Sequence, residues 1–397
     1  MSTDDSVYWD PYDPSFTKDP YPTFRRLREE APLYYNEKYD FYAVSRYEDL
    51  ARGLPDWQTF SSARGGILEL IKSGIEIPPG TLIFEDPEAH DIHRRLLARV
   101  FTPRRVAELE PLIREYCRRS LDPLVGEEGF DLVAAFGAEM PMRVIGMLLG
   151  IPESDQAAVR ESADESLRTE EGGQMDFKGG SVLSNEIFGD YIDWRRSNPS
   201  DDLMTELLNA EFEDEHGVTR TLTRDEVLTY VTVVAGAGNE TTGRLIGWVG
   251  SVLAQHPEQR QEIVDDPSLI PGMLDEVLRY EPPGPAIGRY VTTDVEFHGQ
   301  TVPAGSAMMF MVAAANRDER RYADPDRFDI RRSVGHQMTF GYGVHYCLGA
   351  NLARLEGRIA TEEILKRFPR WDVDWDSAKL ASTSTVRGWE TLPIVIG

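Results

Sequence analysis

Phe340-Gly-Tyr-Gly-Val-His-Tyr-Cys-Leu-Gly349, FGYGVHYCLG, places one of only two cysteines in the chain, Cys347, among glycines, aromatics and a histidine. Glycine on each side of Tyr342 lets a loop turn tightly and brings backbone N–H groups toward one point. Beyond the cysteine, Leu348, Leu352, Leu355 and Ile359 recur at helical spacing, so a helix is expected to start there. A thiol at a helix N-terminus has its pKa lowered by the helix dipole, which favours the thiolate.

A thiolate is a soft ligand suited to iron or zinc. Zinc would need further cysteines or histidines at ligand spacing, and His345-x-Cys347 has no second pair. Iron in a haem needs a single axial protein ligand, so one cysteine suffices. Residue types alone leave two readings open, a structural cysteine buried in packing and a metal ligand.

Around this loop the chain reads as helices with few strands. The longest helical pattern opens with a capping box, Thr223-Arg-Asp-Glu226, and runs to His256 before Pro257. That is roughly 33 residues, or about 50 Å. Asn239, Glu240 and Arg244 in its middle argue against a membrane span. Its centre, VVAGAGNETTG, carries Gly236, Gly238 and Gly243, each costing roughly 1 kcal/mol against alanine. A dinucleotide-binding turn fits poorly, because Thr241 takes the third glycine position and Glu240 would face phosphates. The other reading is a helix pressed against a flat ligand, with Glu240 and Thr241 at a local distortion, able to pass protons. Hairpins are expected in APLYYNEKYDFYAVS and DVEFHGQTVPAGSAMMFMV, and loops at 61–66, 169–181 and 213–217. The expectation is one mainly α domain with small β-sheets (α+β), residues 1–397.

Composition narrows the function. A formal net charge of -26 repels nucleic acid and anionic membrane. Two cysteines make no disulfide framework, and MSTDDSVYWDPYDPSF does not read as a secretory signal, so the expected compartment is cytoplasmic. Between Arg94 and Arg119, eight arginines face three glutamates. This segment is either a solvated helix face or a docking patch for an acidic partner.

FGYGVHYCLG resembles the haem-binding loop of the cytochrome P-450 family of haem-thiolate monooxygenases, Phe-Gly-x-Gly-x-His-x-Cys-x-Gly, at every fixed position. Four further segments match in the family's order. They are DPEAHDIHRRLLARVFTPRR (86–105), AGNETT (237–242), Glu276-Val-Leu-Arg279 and Pro325-Asp-Arg327-Phe328. The resemblance implies the family's fold, with haem b (iron protoporphyrin IX) between the long central helix and the helix of the cysteine loop. It implies Cys347 as the axial thiolate, with Phe340 packed near the sulfur and Gly349 letting the next helix pass under the ring. His90, Arg94, Arg289 and His345 would hold the haem carboxylates. Glu276 and Arg279 would form a buried structural triad with Arg327. Glu240 and Thr241 would be the acid and hydroxyl that deliver protons on the oxygen side.

The implied reaction is hydroxylation or epoxidation of a hydrophobic small molecule, using O2 and two external electrons. The electrons would come from an iron–sulfur ferredoxin and its NAD(P)H-dependent reductase, docking near Arg94, Arg95, Arg99, Arg104 and Arg105. Substrate contacts are expected from Ile67, Leu68, Ile71, Val233, Val234, Ala237, Ala286, Ile287 and Val386. For each aliphatic the plain alternative is core packing. The rival functions are a haem-thiolate gas sensor or carrier, and a member that rearranges or dehydrates its substrate.

Overall fold

The computed structural model describes residues 6–156, 169–170, 172–175 and 188–397. Most of the expected loop at 169–181 therefore lies outside the described residues.

Both expected hairpins form, for the reason their sequences indicate: β-formers flank polar turns. Strands β1 (Leu33–Asn36) and β2 (Phe41–Val44) pair antiparallel. With β3 (Phe60–Ser61), β4 (Ile287–Val291) and β7 (Ala307–Phe310) they make a five-stranded sheet, ordered β1-β2-β7-β4-β3. Its one parallel contact joins β7 to β2. The second hairpin, β5 (Val295–Phe297) and β6 (Gln300–Val302), turns at His298-Gly299, where both residues have positive φ.

The central helix spans Arg224–Gln255, 32 residues, and its start is the full capping box of Thr223 and Glu226. No helix among the described residues is long and apolar enough to cross a membrane. The expected distortion at its centre is absent: residues 236–243 stay α-helical. Of the three glycines at 236, 238 and 243, two serve helix packing instead. A Cβ on Gly238 would lie 2.6 Å from the Ile145 side chain, and one on Gly243 would lie 3.1 Å from the Gly137 carbonyl. The helix Met140–Leu149 and the π-turn Val133–Gly137 thus lie too close for side chains there. Only Gly236 faces open space.

Behind the cysteine loop, Glu276 and Arg279 on the helix Ile270–Tyr280 form a bidentate pair, 2.7 and 2.8 Å, with both side chains fully buried. The expected third partner is corrected by the structure. Arg327 is exposed and contributes only its carbonyl, whereas Arg332 Nε donates to Glu276 Oε1 at 3.0 Å. The reason is geometric. The chain turns at 327–332, the Asp329 N–H also donates to Glu276, and Arg332 folds back over the Ala323, Asp324 and Arg327 carbonyls. Arg332→Ala is expected to cost about 1.5–3 kcal/mol, the range for hydrogen bonds to charged groups. Arg279→Ala should cost about 3–5 kcal/mol, because it strands a buried carboxylate. Arg327→Ala should stay within about 0.5 kcal/mol. Urea unfolding of the three variants checks the order.

The helix that follows the loop, Ala350–Arg367, carries Glu356 wholly buried, with Oε2 lacking a hydrogen-bond partner. Burial pushes its carboxyl well above the ordinary value of 4.5, so the folded chain holds it protonated. Unfolding releases that proton wherever pH exceeds the ordinary value, so Glu356 makes stability fall as pH rises through that window. Glu356→Gln should therefore gain stability relative to wild type as pH rises above the ordinary carboxyl value, read from the urea midpoint over a pH series.

Candidate haem and oxygen site

The cysteine loop is built by two left-handed glycines. Gly341 and Gly343 adopt φ of 73° and 76°, conformations that carry a Cβ penalty in any other residue. The turn closes when the Cys347 N–H donates to the Phe340 carbonyl at 2.7 Å. Gly349 then caps the helix Ala350–Arg367, and a Cβ there would lie 4.0 Å from Cys347 Sγ. Phe340 is buried beneath the guanidinium of Arg354, 4.4 Å above its ring.

Cys347 has open surface, yet enough protein surrounds it that burial pushes its thiol up. The open surface is that of an inner recess. The expected lowering by the helix N-terminus is present but outweighed. A Gly349 backbone hydrogen bond and the charges of Arg94 and Arg354 all favour the thiolate. A bound metal cation would complete that set. The second cysteine, Cys117, is a packed core residue whose thiol burial pushes up to about 12.

Four basic side chains from three segments converge beside the loop. His90 and Arg94 share one face of the helix Ala89–Ala98, Arg289 lies on β4, and His345 lies in the loop. The His90 and His345 rings are 4.4 Å apart. Burial and the charges of Arg289, His90 and Arg94 push His345 down to about 2, and burial pushes Arg289 down to about 10. His90 is completely buried and its Nε2 has no partner. Nearby carboxylates are already engaged. Asp86 accepts from Ser61 Oγ at 2.5 Å and Ser62 N–H at 2.8 Å, and Asp91 lies 3.1 Å from His90 Nδ1. Arg94 donates to the Tyr346 carbonyl at 2.6 Å, which ties this cluster to the loop. Buried like-sign groups with an orphaned ring nitrogen need an added anion. The two carboxylates of haem b fit that need, and Cys347 fits its iron.

On the central helix, Ala237 is exposed while Val234, Ala235 and Asn239 are buried. Thr241 Oγ donates to the Ala237 carbonyl at 2.9 Å, so its oxygen keeps acceptor capacity. Glu240 turns to another face and pairs with Arg244, one helical turn on, at 2.9 Å. Both line a cavity of about 240 Å³ that shares Thr169, Ser382, Thr383 and Glu390 with a surface groove of about 930 Å³. Arg244 is a site residue missed in the sequence, although its i,i+4 spacing from Glu240 was the available signal. Ser62, whose Oγ lies 3.1 Å from His345 Nε2, and Asp86 carried no such signal.

The expected substrate wall divides. Leu68 and Ile71 pack into a core with Trp9, Tyr12 and Phe24, and Val234 packs into the main core, so these three are structural. Ile67, Val233, Ala286, Ile287 and Val386 are only half-buried. The arginine cluster is also largely self-neutralised. Arg104 pairs with Glu108, Arg105 with Glu206, and Arg114 with Glu110, Glu362 and Glu363. Arg118 pairs with Glu115, and Arg119 with Glu153. Arg95 and Arg99 are exposed with no ion pair among the described residues.

The model of the family described as Cytochrome P450 matches residues 185–387. "Putative cytochrome P450 123" of Mycobacterium tuberculosis is 38% identical, over 99% of this chain and 98% of that protein. Erythromycin C-12 hydroxylase of Saccharopolyspora erythraea is 35% identical, over 94% and 93%. Among solved structures, cytochrome P450 CYP109Q5 from Chondromyces apiculatus superposes with a TM-score of 0.87 at 34% identity, covering 98% of each chain. A mutant of P450 EryK in complex with erythromycin B gives 0.84 at 32% identity, over 94% of this chain and 95% of that one. With the thiolate loop, the buried cationic cradle and near end-to-end similarity in agreement, this chain belongs to the cytochrome P-450 family: it is a monooxygenase whose cofactor is haem b.

Proposed function

We infer that this protein, acting as a single domain, hydroxylates or epoxidises a hydrophobic small molecule with O2 and two electrons from an external carrier. The observation that carries the reading is the joint presence of the Cys347 loop and the half-buried Glu240–Thr241 pair at the middle of the central helix. A gas sensor or carrier would have no use for an acid placed in a cavity that communicates with solvent. Bound haem b would supply the oxygen activation, and Cys347 would hold its iron through a thiolate that favours O–O cleavage.

The chain's own residues divide the remaining work. The Gly349 N–H and the Arg94 and Arg354 charges favour the anionic form of the sulfur against the burial that opposes it, and a bound metal cation would tip the balance. His90, Arg94, Arg289 and His345 orient the cofactor through its carboxylates. Thr241 presents a hydroxyl beside Ala237, and the Glu240 carboxylate, fixed by Arg244, lines the solvent-linked cavity from which it can take up and pass on a proton. Proton passage requires Glu240 Oε1 to leave Arg244, so that pair sets when the acid can act. Half-buried Ile67, Val233, Ala286, Ile287 and Val386, with exposed Ala237, supply apolar surface for substrate.

Reduced protein under carbon monoxide is expected to show a strongly red-shifted Soret band, lost in Cys347→Ala. A haem spectrum without that band in wild type would remove the thiolate on which this reading stands.

Bacterial relatives generally draw electrons from redox partners such as ferredoxins. The docking centre proposed here is Arg95 and Arg99, narrower than the arginine run as a whole, because charges already paired within the chain steer a partner weakly. With an acidic ferredoxin, electron transfer should fall steeply with salt. Arg95→Glu with Arg99→Glu should slow it at low salt and flatten the salt dependence, while Arg118→Gln should leave both nearly unchanged. A stopped-flow series over ionic strength reads the outcome, and a salt-independent wild-type rate would rule out the steering.

A further inference from the structure

The loop motif leaves two positions unspecified that this chain fills with tyrosine, Tyr342 and Tyr346. Tyr346 is the chain neighbour of Cys347. The Tyr346 and His336 ring centroids are 6.2 Å apart, and those of His336 and Tyr342 are 4.7 Å apart. Both separations fall within the range of directly interacting aromatic pairs. Tyr342 ends the series at the surface, 36% exposed. The His336 ring is half-buried between the two phenols. A second branch runs inward, from Tyr346 to Phe340 at 6.3 Å. A file of neighbouring rings therefore runs from the residue that precedes Cys347 to the surface.

We propose that Tyr346, His336 and Tyr342 form an outlet for oxidising equivalents, by which the exposed Tyr342 phenol reduces the cysteine-ligated cofactor when such an equivalent finds no substrate. This rests on the haem-thiolate reading above. With hydrogen peroxide as oxidant at one molecule, its Tyr342 gives one electron inward along the file and one proton to solvent. The phenoxyl so formed takes a hydrogen atom from Tyr342 of a second molecule, and the restored phenol gives the second electron and proton by the same route. Two such rings, from two molecules, then couple by a new carbon–carbon bond. The peroxide O–O bond breaks as it takes both electrons and both protons. Two tyrosines and one peroxide thus give one dityrosine and two waters. The benefit to the protein is that damage goes to a surface phenol rather than to Cys347 or the haem.

The test uses substrate-free holoenzyme treated with hydrogen peroxide, and reads a tyrosyl radical by freeze-quench paramagnetic resonance and dityrosine by fluorescence and peptide mapping. Wild type should cross-link at Tyr342. Tyr342→Phe, at an exposed position, should bring the cross-link to background, and Tyr346→Phe should slow labelling of Tyr342. The inference is overturned if wild type gives no product at Tyr342. It is equally overturned if the exposed Tyr8 and Tyr35 are modified to the same extent, or if Tyr342→Phe leaves the yield unchanged. The carbon-monoxide band of the same preparations separates the two readings. Its absence in wild type defeats the haem-thiolate assignment and this inference with it, whereas its presence with a silent Tyr342 defeats the outlet alone.

Discussion

The hydrogen bond from the Cys347 N–H to the Phe340 carbonyl is the constraint to which the rest of the structure answers. Closing that turn demands left-handed backbone at Gly341 and Gly343, and it points the sulfur into a recess rather than into packing. The cost of holding a thiol there is met from several directions at once. A helix start lies behind it at Gly349, Arg354 lies over Phe340, and Arg94 is tied in through the Tyr346 carbonyl. Behind these sits the fully buried Glu276–Arg279 pair, locked by Arg332. Such a pair adds little net stability over an apolar core, but it tolerates only one arrangement of the segments it joins.

The cofactor cradle works by the opposite logic. Arg289 and His90 are buried beside the half-buried His345, and the carboxylates nearest them are already engaged elsewhere. The resulting pKa depressions at His345 and Arg289 measure how badly the cluster wants an anion. The folded chain keeps those side chains poorly solvated, so that cofactor carboxylates bring electrostatic relief on arrival. Stability and cofactor binding are therefore coupled through the same few residues.

In the proposed reaction, proton supply and electron supply draw on different residues. Glu240 and Arg244 sit at a cavity whose lining continues into a surface groove, whereas Arg95 and Arg99 leave open charge on the side of the cysteine helix. Much of the arginine run is spent on intramolecular order. Arg114 alone bridges three glutamates from two helices. A count of charges along the sequence could not separate these uses, because pairing depends on which acids the fold brings across.

Local chemistry that rides on contiguous residues was legible in the chain itself. The cysteine loop, the capped central helix and both hairpins are written in spacings of a few residues, where backbone sterics and capping decide the outcome. So was the i,i+3 pairing of Glu276 with Arg279. What only the tertiary structure decided are the encounters between distant segments. Arg332 rather than Arg327 completes the buried pair, because the turn at 327–332 sets which side chain folds back. Gly238 and Gly243 serve helix contacts rather than a ligand, because Ile145 and Gly137 arrive from about a hundred residues earlier. Leu68, Ile71 and Val234 went to the core for the same reason: apolarity tells a residue to leave water, and only the packed chain says whether it meets protein or substrate.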